Sequence, residues 1–294
     1  MTSHRRSLST WVRWLGTLLS LGLFLWLITR LNWSVISSQL AELPLWTVLL
    51  ALLFYLVSQA FNTLRWCALL WAHDVNITFW QAFRITWSGI FASNFLPSTI
   101  GGDGLRMAAV YPYARSKTVA FGSVALDRLI NMAAMACLVP LPLFLFGARL
   151  SVLLAVALPF NLRALAEKYF PKIVAALREW ASRPQAFLWA FLAAWPSNLT
   201  AMFSTWLIAY GLGMDVSFWQ VAAVQTVTYF FAVLPISVNG YGVREVTYAT
   251  LFVALGASLE QASALAVITR FLIVLVTIPG AIWVSRIAVE VIEA

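Results

Sequence analysis

Apolar residues in this chain do not recur every third or fourth position, as they do on the buried stripe of a soluble amphipathic helix. They fill whole stretches from side to side, which marks helices surrounded by apolar matter on every face. Stretches near the roughly 20 residues needed to cross a bilayer are predicted at Trp11–Thr29, Leu45–Trp66, Phe79–Leu96, Lys117–Leu138, Gln185–Tyr210, Phe218–Leu234 and Leu259–Ser285. Two shorter ones, Leu105–Ala114 and Val243–Leu255, each follow a break bearing proline and glycine. The run Pro140–Phe160 fits an extension of the preceding span, a hairpin or a separate helix. The expectation is an all-α polytopic membrane protein of about seven to eight transmembrane helices, with two Pro/Gly-broken re-entrant segments.

The breaks belong to an internal repeat. Phe79-Trp80-Gln81 recurs as Phe218-Trp219-Gln220, and Leu96-Pro97 through Gly102-Asp103-Gly104-Leu105-Arg106 recurs as Leu234-Pro235 through Gly240-Tyr241-Gly242-Val243-Arg244. Both copies read Leu-Pro-x4-Gly-x-Gly-x-Arg. An odd number of crossings between the copies turns the second upside down, giving an inverted repeat with halves at about 45–147 and 185–285. Inverted repeats built from broken helices point to a transporter whose substrate sits where the breaks meet.

Composition sharpens this picture. The chain is 62% apolar and 10% charged, too little polar surface to cover a globule in water. We therefore read residues 1–294 as a single integral membrane domain with no room for a soluble catalytic module. Its formal charge of +8 is better explained by basic residues gathered at cytoplasmic helix ends than by nucleic acid, which is not expected as a partner. The linker 161–184 alternates Leu162, Leu165, Ile173, Leu177 and Trp180 with Arg163, Lys168, Lys172, Arg178 and Arg183. That pattern fits an amphipathic helix on an anionic leaflet, broken at Pro171, or a basic cytoplasmic loop. Both readings put the linker inside, and Arg5, Arg6 and Arg13 put the N-terminus there too, in the cell (inner) membrane. The first span is read as uncleaved, since no small-x-small site follows it. Cys67 and Cys137 fall in apolar spans, and no disulfide is expected.

Candidate chemistry concentrates at the breaks. Irregular backbone at membrane depth is tolerated only where protein or a water-filled cavity surrounds it. A helix restarting near Asp103 or Asn239 has an N-cap available and presents N–H groups suited to an anion such as phosphate. Arg106 and Arg244 are expected in the first turns of these helices, where a guanidinium can clasp phosphate through two bonds. The competing reading is that Arg106 pairs with Asp103, and Arg244 with a nearby carboxylate such as Glu245, to anchor the re-entrant ends. Asp127, Arg128 and Arg270 lie within spans, where ionisable residues are costly and face the bundle interior. Adjacent on a helix, Asp127 and Arg128 cannot simply neutralise each other; a tie such as Asp127 to Arg270 and a role in substrate passage both remain open. Arg65 and Arg84 are read as anchors that reach the interface.

Three sets of residues carry a family likeness: Asn94-Phe95-Leu96-Pro97 through Gly101-Gly102-Asp103-Gly104-Leu105-Arg106; Asp127-Arg128; and Leu234-Pro235 through Gly240-Tyr241-Gly242-Val243-Arg244-Glu245. On these the chain resembles the transmembrane family of lysylphosphatidylglycerol synthase/flippase proteins, over the organisation of nearly its whole length. In that family the membrane part is thought to move or present aminoacylated phospholipid, while a separate soluble domain makes it. The resemblance implies a stand-alone member without the synthase domain, not itself an enzyme, working in a lipid, polyprenol or cell-envelope glycan pathway. It carries over Asp103, Arg106, Arg244 and Glu245 as functional positions. Asn239 stands where a glycine is expected, which departs from the family's second turn.

Rival classes are weaker on the residues. The Gly-x-Gly-Asp of intramembrane aspartyl proteases requires glycine where Ile100 stands, and Arg128 beside Asp127 opposes proton sharing between two carboxylates. His4 and His73 lack metal-ligand company, so no metal or cofactor is expected. The expected function is a lipid flippase acting on a phosphate-bearing lipid, with Asn94, Gly102, Asp103, Arg106, Asp127, Arg128, Gly240, Arg244, Glu245 and Arg270 as substrate-binding candidates. The alternative is a non-transporting scaffold for an envelope-biosynthesis enzyme such as a glycosyltransferase.

Overall fold

The computed structural model describes residues 41, 43–95, 99–114, 116–147, 174, 178, 180–233 and 242–284. Every regular element among them is helical: α1 (Leu45–Trp71), α2 (Phe79–Phe95), α3 (Thr99–Ala114), α4 (Lys117–Ala136), α5 (Pro140–Phe146), α6 (Pro184–Gly211), α7 (Phe218–Val233), α8 (Val243–Ala254) and α9 (Leu259–Thr277). Four are long and apolar enough to cross a membrane: α1, α4, α6 and the stretch Leu259–Val284 that contains α9. At about 1.5 Å per residue α1 reaches about 40 Å, whereas the 12 residues of α8 reach about 18 Å and fall short of a bilayer's hydrocarbon core. The span expected at Trp11–Thr29, the breaks at Pro97 and Pro235–Gly240, and most of the basic linker lie outside the described residues.

Caps decide where the helices begin. Thr78 Oγ1 accepts from Gln81 N at 3.3 Å while Gln81 Oε1 accepts from Thr78 N at 2.8 Å, a reciprocal capping box. Ser217 and Gln220 repeat it at 3.3 and 2.7 Å. The recurring Phe-Trp-Gln is thus the first turn of α2 and of α7, with its glutamine spent on the cap. Ser116 caps α4 and Ser258 caps α9 through the N–H three residues on.

The turns before α2 and α7 match as closely. Asp74 N bonds Trp71 O, Val75 N bonds Leu70 O and Ile77 N bonds Val75 O; Gly213 N, Met214 N and Val216 N make the same bonds to Tyr210, Ala209 and Met214. Asp74 and Gly213 both take positive φ, at 54° and 67°, and aspartate is among the few non-glycine residues that accept this conformation.

Among the described helices, α1 and α6 share the most extensive contact. Ser58 Oγ donates to Ser197 O at 2.8 Å and Ser197 Oγ donates to Ser58 O at 3.1 Å. Ser204 Oγ reaches Ala51 O at 2.7 Å, and Gly211 meets Thr47, so residues ascending on one helix meet residues descending on the other. The pair is antiparallel. Small residues let helix backbones approach closely in a membrane, and Ala51, Ser58, Ala190, Ala194 and Ser197 supply them here. Exposed Trp46, Tyr210 and Trp219 gather at one end of this pair and exposed Trp71, Trp80 and Trp189 at the other, as interfacial aromatic belts do.

Exchanging α1 with α6, α2 with α7, α3 with α8 and α4 with α9 maps the principal packed helix pairs onto themselves, leaving α5 against α7 without a counterpart. Two of the apolar clusters follow this division, one holding Trp66, Leu69, Val110 and Val124 and another Val221, Val224, Phe252 and Leu265, while a third, Met135, Leu138, Met202 and Ala222, draws on both halves.

Three expectations change. The first short helix begins at Thr99 rather than Leu105, because the glycines at 101, 102 and 104 are accommodated inside it. Close packing requires one of them: a Cβ on Gly102 would lie 2.2 Å from Gly89 O, so α2 and α3 touch through their backbones. The ambiguous run after Leu138 contains the short helix α5 up to Phe146, and its remainder lies outside the described residues. Trp180, read as part of a face toward lipid, is wholly buried and donates Nε1–H to Leu69 O at 3.1 Å, so this end of the linker packs on α1.

Candidate functional site

A cavity of about 320 Å³ lies between the two halves, with α1, α2, α3, α4, α7, α8 and α9 all contributing to its wall. Five arginines face it, Arg65, Arg106, Arg128, Arg244 and Arg270, together with Asp103 and Asp127. So many charged groups inside a bundle of apolar helices require mutual compensation.

Asp127 is the hub of the first half. Lying on α4 with 1% exposure, it receives Arg65 Nε on Oδ1 at 2.7 Å and an Arg106 amino group on Oδ2 at 3.0 Å. Arg65 spends its remaining amino groups on Asn131 at 2.6 Å and Asn62 at 2.7 Å, so all three of its nitrogens are held. Arg106 also approaches Asp103 at 3.7 Å, and its guanidinium lies 4.3 Å from the ring centre of Trp66, a cation–π contact. Trp66 is fixed in turn by an Nε1–H bond to Ser123. Arg128 pairs with Asp103 across the α3–α4 boundary.

The second half is built differently. Gly242, with φ of 79°, precedes α8, and its N–H is capped at 2.7 Å by Glu245 Oε2. The other oxygen of Glu245 accepts from Arg270 Nε at 3.1 Å. Arg244, one residue earlier, meets Tyr248: its amino group lies 3.5 Å from the phenol oxygen and its guanidinium 5.6 Å from the ring centre. Among the described residues no carboxylate lies within ion-pair distance of Arg244.

The register of the caps brings out a correspondence that the motif alone hides. Arg128 stands 12 residues after the cap Ser116, and Arg270 stands 12 after Ser258; each pairs with a carboxylate on the short helix of its own half. By the same count Thr269 occupies the place of Asp127, and its hydroxyl turns back to Leu265 O at 2.7 Å.

Among the described residues, two buried polar atoms of the wall have no hydrogen-bond partner, Arg106 Nε and Thr86 Oγ1. A buried donor without a partner is costly, and these two belong to residues 8% and 2% exposed.

Of the residues singled out from the sequence, Gly102, Asp103, Arg106, Asp127, Arg128, Arg244 and Arg270 line the cavity. Glu245 is 1% exposed behind Arg270, with both oxygens committed. Gly240 and the side chain of Asn94 lie outside the described residues. Asp127 ties to Arg65 and Arg106 rather than to Arg270, because α4 packs against α1 and α3. Arg106 is two turns into α3 rather than in its first turn, and Gly242, not Asn239, caps α8.

Arg65 is a further correction. Expected to reach the interface, it is 5% exposed and locked onto Asp127; its signal was Asn62 one turn earlier in an apolar span, a polar neighbour an interfacial anchor does not need. Arg84 does lie exposed, beside Trp80 and Trp283. Tyr55, Thr86, Asn131 and Tyr229 also line the cavity, and no motif marks them.

Comparison with known proteins gives the family. The model of the lysylphosphatidylglycerol synthase TM region matches residues 13–280. The chain belongs to that family. A UPF0104 membrane protein from Pyrococcus horikoshii is 23% identical over 273 residues, 75% of this chain and 80% of the relative. The family and the apolar helices together make this a multi-pass membrane protein with a lipid-related membrane function.

Proposed function

We propose that this family member is a flippase that moves a phosphate-bearing lipid between leaflets, its headgroup passing through the arginine-lined cavity while its tails stay in the bilayer. The observation that carries this reading is the cavity itself. Five guanidiniums drawn from both halves converge on one space, and guanidinium is the side chain best shaped to hold phosphate oxygens in pairs. Lipid phosphate is the abundant anion at such a place, and a phospholipid, aminoacyl-phospholipid or polyprenyl-phosphate-linked lipid fits this chemistry.

The two halves form an inverted repeat on this reading. An antiparallel α1–α6 pair whose equivalent serines bond each other reciprocally fits a two-fold axis lying in the membrane plane, the arrangement that supports alternating access. The α2–α3 and α7–α8 units are then re-entrant hairpins, and one half rocks against the other to open the cavity to each leaflet in turn. The protein sits in the cell (inner) membrane with its N-terminus cytoplasmic.

Reconstitution tests the proposal. Liposomes holding the purified protein should move fluorescent phospholipids or polyprenyl phosphates across the bilayer, and Arg106→Ala and Arg244→Ala should each slow this at least about tenfold while remaining folded. Failure of folded wild-type protein to move any of these lipids would move the weight to a scaffold for an envelope enzyme. Single cysteines at Asp74 and Asp215 should label from opposite sides of the membrane; labelling from the same side would sink the inversion.

A further inference from the structure

We infer that the cavity selects a doubly charged phosphate headgroup, a lipid phosphomonoester, over the singly charged phosphodiester of ordinary phospholipids. This rests on the cavity being the lipid site and adds which class of lipid it takes.

Charge is the first ground. Among the described residues the five arginines meet three carboxylates, Asp103, Asp127 and Glu245. Arg128 is matched by Asp103 and Arg270 by Glu245, while Asp127 serves both Arg65 and Arg106. One positive charge is therefore left in the Asp127 cluster and a second on Arg244. Excess charge inside a bundle of apolar helices is unfavourable, and a ligand carrying two negative charges removes it where a ligand carrying one does not.

Placement is the second ground. The two uncompensated charges come from opposite halves and face the same cavity. Asp127 quenches part of the charge around Arg106, whereas in the second half Thr269 stands at the matching position and no carboxylate among the described residues pairs with Arg244. Arg106 Nε and Thr86 Oγ1, buried and without partners on the wall, supply further bonds. A phosphomonoester offers three non-bridging oxygens and close to two charges at neutral pH, enough to engage Arg106 and Arg244 together. A phosphodiester has two such oxygens and one charge. The volume of about 320 Å³ is at the small end for ligand sites and suits a compact headgroup.

The test is equilibrium binding to the full chain in nanodiscs, separate from any transport assay. Phosphatidic acid and a polyprenyl phosphate supply the phosphomonoester on two kinds of tail; phosphatidylglycerol supplies the phosphodiester. At least one phosphomonoester should bind about tenfold or more tighter than phosphatidylglycerol, and which of them does so identifies the tail. Thr269→Asp adds a carboxylate at the position matching Asp127 and should shrink the ratio at least about threefold, with thermal unfolding recorded to show a folded protein; Arg244→Gln should do the same, and Arg84→Gln should leave it unchanged. Equal binding of phosphatidylglycerol and both phosphomonoesters overturns the inference, as does a ratio unmoved in both folded cavity variants. Lipid movement without the preference defeats this inference alone, and the preference without lipid movement defeats only the flippase proposal.

Discussion

Asp127 in the first half takes Arg65 on one oxygen and Arg106 on the other; at the matching place in the second half stands Thr269, its hydroxyl folded back on its own helix. The backbones around these residues agree down to the caps, the positive-φ turns and the order of packed helices. What separates the halves is charge. One half is a closed ionic cluster, while the other leaves Arg244 facing the cavity beside a tyrosine. A common scaffold can thus hold two different electrostatic environments against one space, because the starts of α2, α4, α7 and α9 and the contact of α1 with α6 rest on Ser, Thr, Gln and small residues rather than on the charged positions.

The largest expected effect comes from breaking the closed half. Asp127→Asn leaves Arg65 and Arg106 buried without a carboxylate, and removing one partner of a buried pair costs about 3–5 kcal/mol. Thr269→Val at the matching site removes only a local bond. Thermal unfolding in detergent should show a large drop for the first and little for the second; equal drops would mean that the two clusters are not organised as described.

Next comes the contact between α2 and α3. Gly102→Ala drives a methyl group into Gly89 O and Ser93, and overpacking of this kind costs up to about 3 kcal/mol. Gly104→Ala meets nothing within 4 Å and should be neutral or slightly stabilising, since alanine favours the helix. Glu245→Gln should cost about 2 kcal/mol, the worth of a buried hydrogen bond to a charged group. The amide oxygen can still cap Gly242, so the loss falls on Arg270.

The smallest expected effect is also the sharpest probe of symmetry. Ser58→Ala and Ser197→Ala each remove one bond of a reciprocal pair, worth about 1 kcal/mol. Their effects on the unfolding midpoint should be equal; a clear inequality would show that the contact between α1 and α6 is not symmetric.

Much of this was legible in the residues, for identifiable reasons. The spans expected to begin at Phe79, Phe218 and Leu259 start where α2, α7 and α9 do, and the structure shows each start held by a local Ser or Thr cap. The repeated Leu-Pro-x4-Gly-x-Gly-x-Arg led to Arg106 and Arg244, which share the cavity. Arg65 was misread because an arginine near a helix end is compatible with reaching the interface or with burial, and only the neighbouring helix decides. The start of α3 was placed six residues late because glycine weakens a helix by propensity, whereas here it is required by the approach of α2.

From the sequence alone came the membrane class, the starts of several apolar spans, the repeated Leu-Pro-x4-Gly-x-Gly-x-Arg motif and the net positive charge, all legible in composition or in residues a few positions apart. Tertiary structure alone decided which arginine meets which carboxylate, that α1 and α6 run antiparallel with Ser58 on Ser197, and that Arg244 has no acidic partner among the described residues. The physical reason is that helices apolar on every side carry no periodicity to say which face turns inward. Their rotation is chosen by packing, and packing brings together charges that lie far apart along the chain.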